Sequence, residues 1–293
     1  MRNVFNNPEL EKEFDKNGYV RVPFITKDKV EKLRQLFFET LPHSKGSILA
    51  GETGVDNASE ITYDFTFIDK NPDYKRLVFK IITDEFADGM NLYLDNYKPI
   101  IANYIRKKTE GGDVPLHQNW AFVNERKYTS VSIWCPLVDS TVNNGTLQVV
   151  PGSHKRMGEY RGPMVPWQLD NIKSEIINNH LVPLETKAGE AIILDDSIVH
   201  YSAINKTNDL RLAIQLILVP AEAEIIHYHL NPAQPDEIKI CTVDQDFFMT
   251  FNPWMKPDEA LMKRTIPFKQ HFYTLSDFEQ ALNGRKIDEL ETV

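Results

Sequence analysis

The sequence predicts a mainly β fold with flanking helices, an α+β chain whose antiparallel sheets form a sandwich or barrel. Three observations carry this reading. Helical periodicity is concentrated in the first third of the chain. Short apolar runs then follow one another between Pro99 and Val219 with no helical pattern between most of them. Asn143-Asn144-Gly145 is a turn signal of the kind that joins such strands. A chain of 293 residues, 42% of them hydrophobic, can bury a substantial core and allows one large or two ordinary domains. A single domain over residues 1–293 is expected. Its helical part covers about 1–97, its barrel core about 99–230, and a C-terminal extension 231–293.

Residues 8–17 read as a helix closed by Gly18, and 19–24 alternate as a short strand. Thr26 caps a second helix whose Val30, Leu33, Leu36 and Phe37 recur at helical spacing, until Pro42 stops it. Residues 43–60 are rich in glycine, serine and charge, a long loop that suggests either a lid touching substrate or a surface excursion. An alternating strand is expected at 61–68. Asn71-Pro72 then opens a long helix, with proline at its first position, running to about Tyr97 with a break near Gly89. Strands are expected at 99–107, 117–123, 129–138, 146–150, 180–184, 190–194, 199–203 and 210–219. The stretch 151–179, with His154, Arg156, Arg161 and Trp167, is a long insertion that could close over the barrel mouth or lie on the surface. Near the end, Ser276-Asp277-Phe278-Glu279 reads as a capping box opening a short helix.

A net charge of −9 and a pI near 5.4 argue against a nucleic acid or an anionic membrane as main partner, while leaving room for a local basic pocket. Two cysteines are too few for a disulfide framework. Cys135, between Trp134 and Pro136, reads as a small buried hydrophobe. The opening MRNVFNNPEL carries no apolar run of signal type and no segment has the length of a membrane span, so a cytoplasmic protein is expected. Gly111-Gly112 and Gly51 with Gly54 lack the spacing that cradles phosphate, so nucleotide binding is not indicated.

The chemistry concentrates in Leu116-His117-Gln118-Asn119-Trp120 and in the distant segment holding His200 and Arg211. If the first stretch is extended, His117 and Asn119 share a face and Gln118 points away. Two imidazoles and a third ligand on one face of a divalent metal leave the opposite positions open for reaction. A carboxylate in the third position would give a 2-His-1-carboxylate iron(II) site; this chain has the neutral amide of Asn119 there. Asp113 and Glu125 flank the stretch, but neither has the close spacing to His117 that would make it a substitute. Any one histidine taken alone is more often a packed or surface residue, so the weight falls on context.

Residues 130–155 read SVSIWCPLVDSTVNNGTLQVVPGSHK, with a W-x-P-L, an N-G-x-L and a P-G-S-H run following the first histidine. Upstream stands GYVRVPFITKDKVEKLRQLF; downstream, AGEAIILDDSIVHYSAINKTNDLRLAIQL carries a second histidine and an arginine eleven residues later. Together these resemble the phytanoyl-CoA dioxygenase family of iron(II)/2-oxoglutarate oxygenases, over roughly two thirds of the chain. The resemblance implies a double-stranded β-helix core, a jelly-roll of cupin-like form, with the metal in its mouth. It implies iron(II), 2-oxoglutarate and O2 as cofactors, His117 and His200 as metal ligands with Asn119 in the third position, and Arg211 as the bidentate partner of the far carboxylate of 2-oxoglutarate. Ser202 is a candidate donor to that carboxylate, Asn103 a weaker one at its metal-proximal end, and Trp134 and Trp120 either wall the pocket or fill the core. The implied reaction couples decarboxylation of 2-oxoglutarate to hydrogen abstraction from an aliphatic carbon, with hydroxylation as default, on a small-molecule or carrier-bound substrate. Two alternatives stand beside it: halogenation, if Asn119 leaves its position vacant, and a catalytically weak 2-oxoglutarate-binding module.

Overall fold

The computed structural model describes residues 2–46, 63–251, 253 and 255–287. Most of the loop expected at 43–60 and the start of the strand expected at 61–68 lie outside them.

The N-terminal third forms as its local chemistry dictates. Helix α1 (Pro8–Asn17) starts where the Asn7 side chain accepts the Glu9 and Leu10 N–H groups, and stops at Gly18, which has φ 79°. Strand β1 (Tyr19–Pro23) leads to α2 (Lys27–Thr40), capped by Thr26. Strand β2 (Tyr63–Phe65) is shorter than the expected alternation, because residues 66–68 turn into a 3₁₀ helix. Helix α3 (Pro72–Tyr93) is continuous through Gly89. A Cβ at Gly89 would lie 2.6 Å from the Phe24 ring, so the glycine brings the helix close to an aromatic side chain and does not break it. The helix ends at Tyr93, short of the expected Tyr97, because β3 (Tyr97–Lys107) already begins there.

The remaining strands are β4 (Val114–His117), β5 (Val131–Pro136), β6 (Leu147–Val149), β7 (Val182–Pro183), β8 (Glu190–Asp195), β9 (His200–Ser202), β10 (Arg211–Pro220), β11 (Ile225–Leu230), β12 (Glu237–Val243) and β13 (Met262–Pro267). They pair antiparallel in three sheets: β1-β8-β5-β10-β3-β2, the smaller β4-β9-β6-β7, and β11-β12-β13. The first two form the jelly-roll core. Side-chain parity explains how the large sheet is covered on both faces. On β10, Leu212, Ile214, Leu216 and Leu218 pack with Leu33 and Phe37 of α2 and Val78 and Ile82 of α3. The alternate residues Arg211, Ala213, Gln215 and Ile217 face inward; Ala213 packs with Leu147 and Val149 of the small sheet, and the others border a cavity between the sheets. Cys135 belongs to the helix-facing set and is fully buried, as its apolar neighbours suggested.

Four expectations need correcting. The strand expected at 117–123 runs instead over Val114–His117, and the segment after it is irregular, with Gln118 and Asn119 held by side-chain bonds and Ala121 and Phe122 by single backbone bonds to Arg161 and Ile226. The insertion at 151–179 contains a helix, α4 (Lys173–Asn179), which leaves only Val182–Pro183 of the strand expected at 180–184. The C-terminal region, read only as a short helix, also supplies β12, β13 and a short helix α5 (Phe247–Thr250). The last helix, α6 (Leu275–Leu282), begins earlier than the expected capping box: Thr274 and Asp277 make the reciprocal bonds. Among the described residues no helix is long and apolar enough to cross a membrane.

Candidate active site

His117 and His200 are direct partners across the β4–β9 pair, and their rings lie 4.1 Å apart between centroids. Each ring is fixed by the same local device. His117 Nδ1 lies 2.7 Å from the Pro115 carbonyl, and His200 Nδ1 lies 2.9 Å from that of Ile198, two residues back in both cases. A carbonyl only accepts, so Nδ1 carries the proton in both rings and each Nε2 keeps its lone pair. Burial lowers the pKa of His117 and lowers that of His200 well below the usual value, the neighbouring His117 adding to the effect. Both are therefore neutral imidazoles, the form in which histidine binds a metal. Among the described residues no cluster of three or more His, Cys, Asp or Glu forms, so neither Asp113 nor Glu125 completes a carboxylate set.

Asn119 borders the same cavity. Strand parity does not put it there, since the strand ends at His117. Its Nδ2 donates to Asp196 Oδ1 at 2.8 Å and to Ser132 Oγ at 3.1 Å. Gln118 points away, as expected, and donates from Nε2 to the Met157 and Ser197 carbonyls while its Oε1 accepts from Trp167 Nε1. Part of the 151–179 insertion is thus tied directly beneath the histidine segment.

Arg211 lies across the cavity wall. It is 1% exposed, yet Nε and Nη1 have no hydrogen-bond partner, and Nη2 reaches only Ser202 Oγ at 3.4 Å. Burial alone pushes its pKa down to about 10; no carboxylate among the described residues offsets it. Its guanidinium carbon stands 5.8 Å from the centroid of the Trp134 ring. A buried guanidinium with two unmet donors fits a dicarboxylate ligand, because leaving such a charge unpaired is among the costliest arrangements in a protein interior. Ser202 gives its own proton to the Gly145 carbonyl at 2.7 Å, so as placed it supports Arg211 with a lone pair. Lys107 is also fully buried, donates to the Ser202 carbonyl at 2.7 Å and to that of Ala203, and is pushed down to about 6 by burial and by Arg211.

Asn103 borders the cavity, with both ends of its amide engaged: Oδ1 accepts the Phe67 N–H at 2.7 Å and Nδ2 donates to Gln215 Oε1 at 3.1 Å. The backbone donor fixes the polarity of this relay, so the amide end that Gln215 has free is a donor, Nε2. A second buried arginine, Arg161, clamps the segment from the other side. It makes a bidentate pair with Glu125 at 2.7 and 2.8 Å, and donates to the Asn119 carbonyl at 2.7 Å and to that of Gly158 at 2.6 Å.

Sequence reading named His117, Asn119, His200, Arg211, Ser202, Asn103 and Trp134, and all seven border one cavity of about 430 Å³. It missed Asp196, Ser132, Gln215 and Lys107. Each left a signal: a polar residue at inward parity inside an apolar run for Ser132 and Gln215, a lysine directly opposite Arg211 in register, and an acid pair just before His200. Arg161, in the insertion that could close over the barrel mouth, and Glu125, set aside as a metal ligand by its spacing, bond to each other.

Two neutral imidazoles bordering a cavity, with a buried arginine of two unmet donor nitrogens in its wall, between the sheets of a jelly-roll, fit the iron(II)/2-oxoglutarate-dependent oxygenase class. The chain matches the phytanoyl-CoA dioxygenase (PhyH) family over residues 14–213 and belongs to it. The Dictyostelium discoideum phytanoyl-CoA dioxygenase domain-containing protein 1 homolog is 28% identical over 170 residues, 56% of this chain and 60% of that protein. Phytanoyl-CoA dioxygenase 1 of Oryza sativa subsp. japonica is 29% identical over 114 residues, 38% of this chain and 41% of that one. The alignments thus span 60% or less of these relatives' lengths. Among solved structures, the non-heme alpha ketoglutarate dependent carbocyclase SnoK from nogalamycin biosynthesis shares the fold with a TM-score of 0.53 at 18% identity, over 75% of this chain and 86% of that one. The epimerase SnoN, in complex with Fe3+, alpha ketoglutarate and nogalamycin RO, gives 0.53 at 16% identity, over 89% and 94%.

Proposed function

We propose that this protein is an iron(II)/2-oxoglutarate-dependent oxygenase that hydroxylates an aliphatic carbon of a small, neutral, largely apolar substrate. The observation that carries the reading is the unpartnered Arg211 guanidinium in the wall of the cavity that both histidines border. His117, His200 and Asn119 would hold the metal, and Arg211 the far carboxylate of 2-oxoglutarate, with Trp134 against the arginine's face. Iron and 2-oxoglutarate together supply oxygen activation, with succinate and carbon dioxide as products. The chain's own part is positional. Two backbone carbonyls hold the imidazoles with Nε2 available, burial keeps them neutral, and Gln215, on the same face of β10 as Arg211, offers one amide donor to the cavity.

The remaining wall bears on the substrate. Arg211 is the only charged side chain lining the cavity among the described residues, and with a dicarboxylate bound it is already paired. Phe65, Phe67, Trp120 and Phe122 form much of the rest. The part of the substrate that enters is therefore uncharged and apolar, since a buried charge without a partner is strongly disfavoured. Asn119 also bears on the outcome. Halogenation needs the third position open for halide, whereas this chain carries there a side chain whose amide oxygen can itself be a ligand.

The test is anaerobic reconstitution with iron(II) and 2-oxoglutarate, followed by optical spectroscopy. A visible charge-transfer band is expected, and His200→Ala should abolish it. With oxygen, succinate formation should rise with neutral apolar compounds and not with charged ones. An identical spectrum from the His200→Ala protein would refute the metal assignment; stimulation confined to anionic or cationic compounds would refute the substrate class.

A further inference from the structure

The third position departs from the carboxylate pattern, yet a carboxylate stands directly behind it. Asp196 is fully buried in the turn between β8 and β9. The turn is locked by Asp195, whose Oδ1 accepts both the Ser197 N–H at 2.8 Å and the Ser197 hydroxyl at 2.5 Å; Ser197 Oγ in turn accepts the Lys155 N–H at 2.7 Å. Asp196 Oδ1 accepts from Ser132 Oγ at 2.6 Å and from Asn119 Nδ2 at 2.8 Å. Arg161 Nε meanwhile holds the Asn119 carbonyl at 2.7 Å. Backbone and side chain of Asn119 are therefore fixed by separate partners.

An amide has one donor end and one acceptor end, and neighbours that only accept decide which way it faces. Asp196 Oδ1 accepts in this arrangement whether or not the other carboxylate oxygen carries a proton. The Asn119 NH2 must then face Asp196, which leaves Oδ1 on the His117 side. We propose that Asp196 is the positioning residue that turns Asn119 into an oxygen ligand. In this chain the usual carboxylate ligand is divided into an amide that meets the metal and an acid one hydrogen bond behind it. The inference rests on the metal site proposed above. Partners of this kind, one bond behind a ligand, typically change metal affinity by about 10- to 100-fold.

This arrangement also alters what Asn119→Asp does. In that variant no amide donor stands between the two side chains, so the new carboxylate loses the bond that turns Asn119 toward His117. The gain in iron affinity from the new anionic ligand should then be small. Exchanging the two groups, as Asn119→Asp with Asp196→Asn, restores one acid and one amide in the opposite order.

The experiment is anaerobic iron(II) binding by chelator competition, without 2-oxoglutarate, on five proteins checked for folding by circular dichroism: the parent, Asp196→Leu, Asn119→Asp, the exchange double variant and His200→Ala. Asp196→Leu should weaken iron binding ten- to a hundredfold. The double variant should bind at least as tightly as the parent and more tightly than Asn119→Asp alone. If Asp196→Leu does not fold, the ranking of the double variant above Asn119→Asp still decides the matter. Unchanged affinity in Asp196→Leu, or a double variant weaker than Asn119→Asp, overturns the role of Asp196. Unchanged iron binding in His200→Ala overturns instead the metal site beneath it.

Discussion

Arg161 and Arg211 are buried almost equally, 5% and 1% exposed, and differ in everything else. All three nitrogens of Arg161 are engaged: Glu125 takes two bonds, and the Asn119 and Gly158 carbonyls take one each. Arg211 has a distant hydroxyl, a tryptophan ring and two unmet donors. Burial is thus no guide to function here; the hydrogen bonds left unmade are. Arg161 has found its anion within the chain, whereas Arg211 is arranged to receive one.

The largest effect expected from this contrast is on stability. Arg161→Met should destabilise the protein by about 3–5 kcal/mol, because Glu125 is left buried without its partner. Denaturant unfolding at neutral pH measures it, and a loss below about 1 kcal/mol would make the two arginines alike. Arg211→Met should do the reverse. Without 2-oxoglutarate its stability should stay within about 1 kcal/mol of the parent, while 2-oxoglutarate binding falls by about 2–5 kcal/mol, tens- to thousands-fold. Calorimetric titration of the iron(II)-loaded proteins separates the two outcomes.

The next effect is smaller and sharpens the same point. At 2-oxoglutarate one hundred times its Kd, the parent and Arg161→Lys, if folded, should gain about 2.7 kcal/mol. Arg211→Met should gain less than about 1 kcal/mol at that concentration. Thermal scans with and without the dicarboxylate read this directly.

The smallest effect concerns pH. Lys107, opposite Arg211, is held down to about 6 in the ligand-free protein by burial and by the arginine's charge. An anion bound to Arg211 relieves that repulsion, so the liganded protein takes up protons at pH values above about 6. Affinity for 2-oxoglutarate should therefore rise as pH falls toward 6 and level off below it, by less than about tenfold per pH unit. Lys107→Met should flatten the profile.

How far the sequence carried the reading differs between strands and turns. Apolar runs made β5, β8 and β10 legible, while the place of Arg211 came from the family resemblance and Trp134 was left between pocket wall and core. The two histidines came from their motifs, and the β4–β9 register then set them side by side. Parity failed just past His117, where Gln118, Asn119 and the Arg161 clamp replace ladder bonds with side-chain bonds to residues far along the chain. Such bonds leave no periodic trace. Asp196 showed in the sequence only as half of an acid pair before His200, since a carboxylate in a turn reads as solvated until its partners are known. Gly89 misled for a simpler cause: a glycine required for close approach to Phe24 looks the same in sequence as one that ends a helix.

The small sheet has β4 as its outermost strand, and the β4–β9 register holds only two residue pairs, Val114 with Ser202 and His117 with His200, with an irregularity between them. Pro115, which has no N–H to donate, sits within that gap. So few ladder bonds make β4 ready to peel away, were it not that its last residue would also hold the proposed metal. With His117 and His200 engaged on one ion, the seam would be riveted at its inner end. Amide exchange along 114–117 should then slow on loading with iron(II) far more than exchange in β5 or β10, which makes the edge strand a built-in gauge of whether the enzyme is charged.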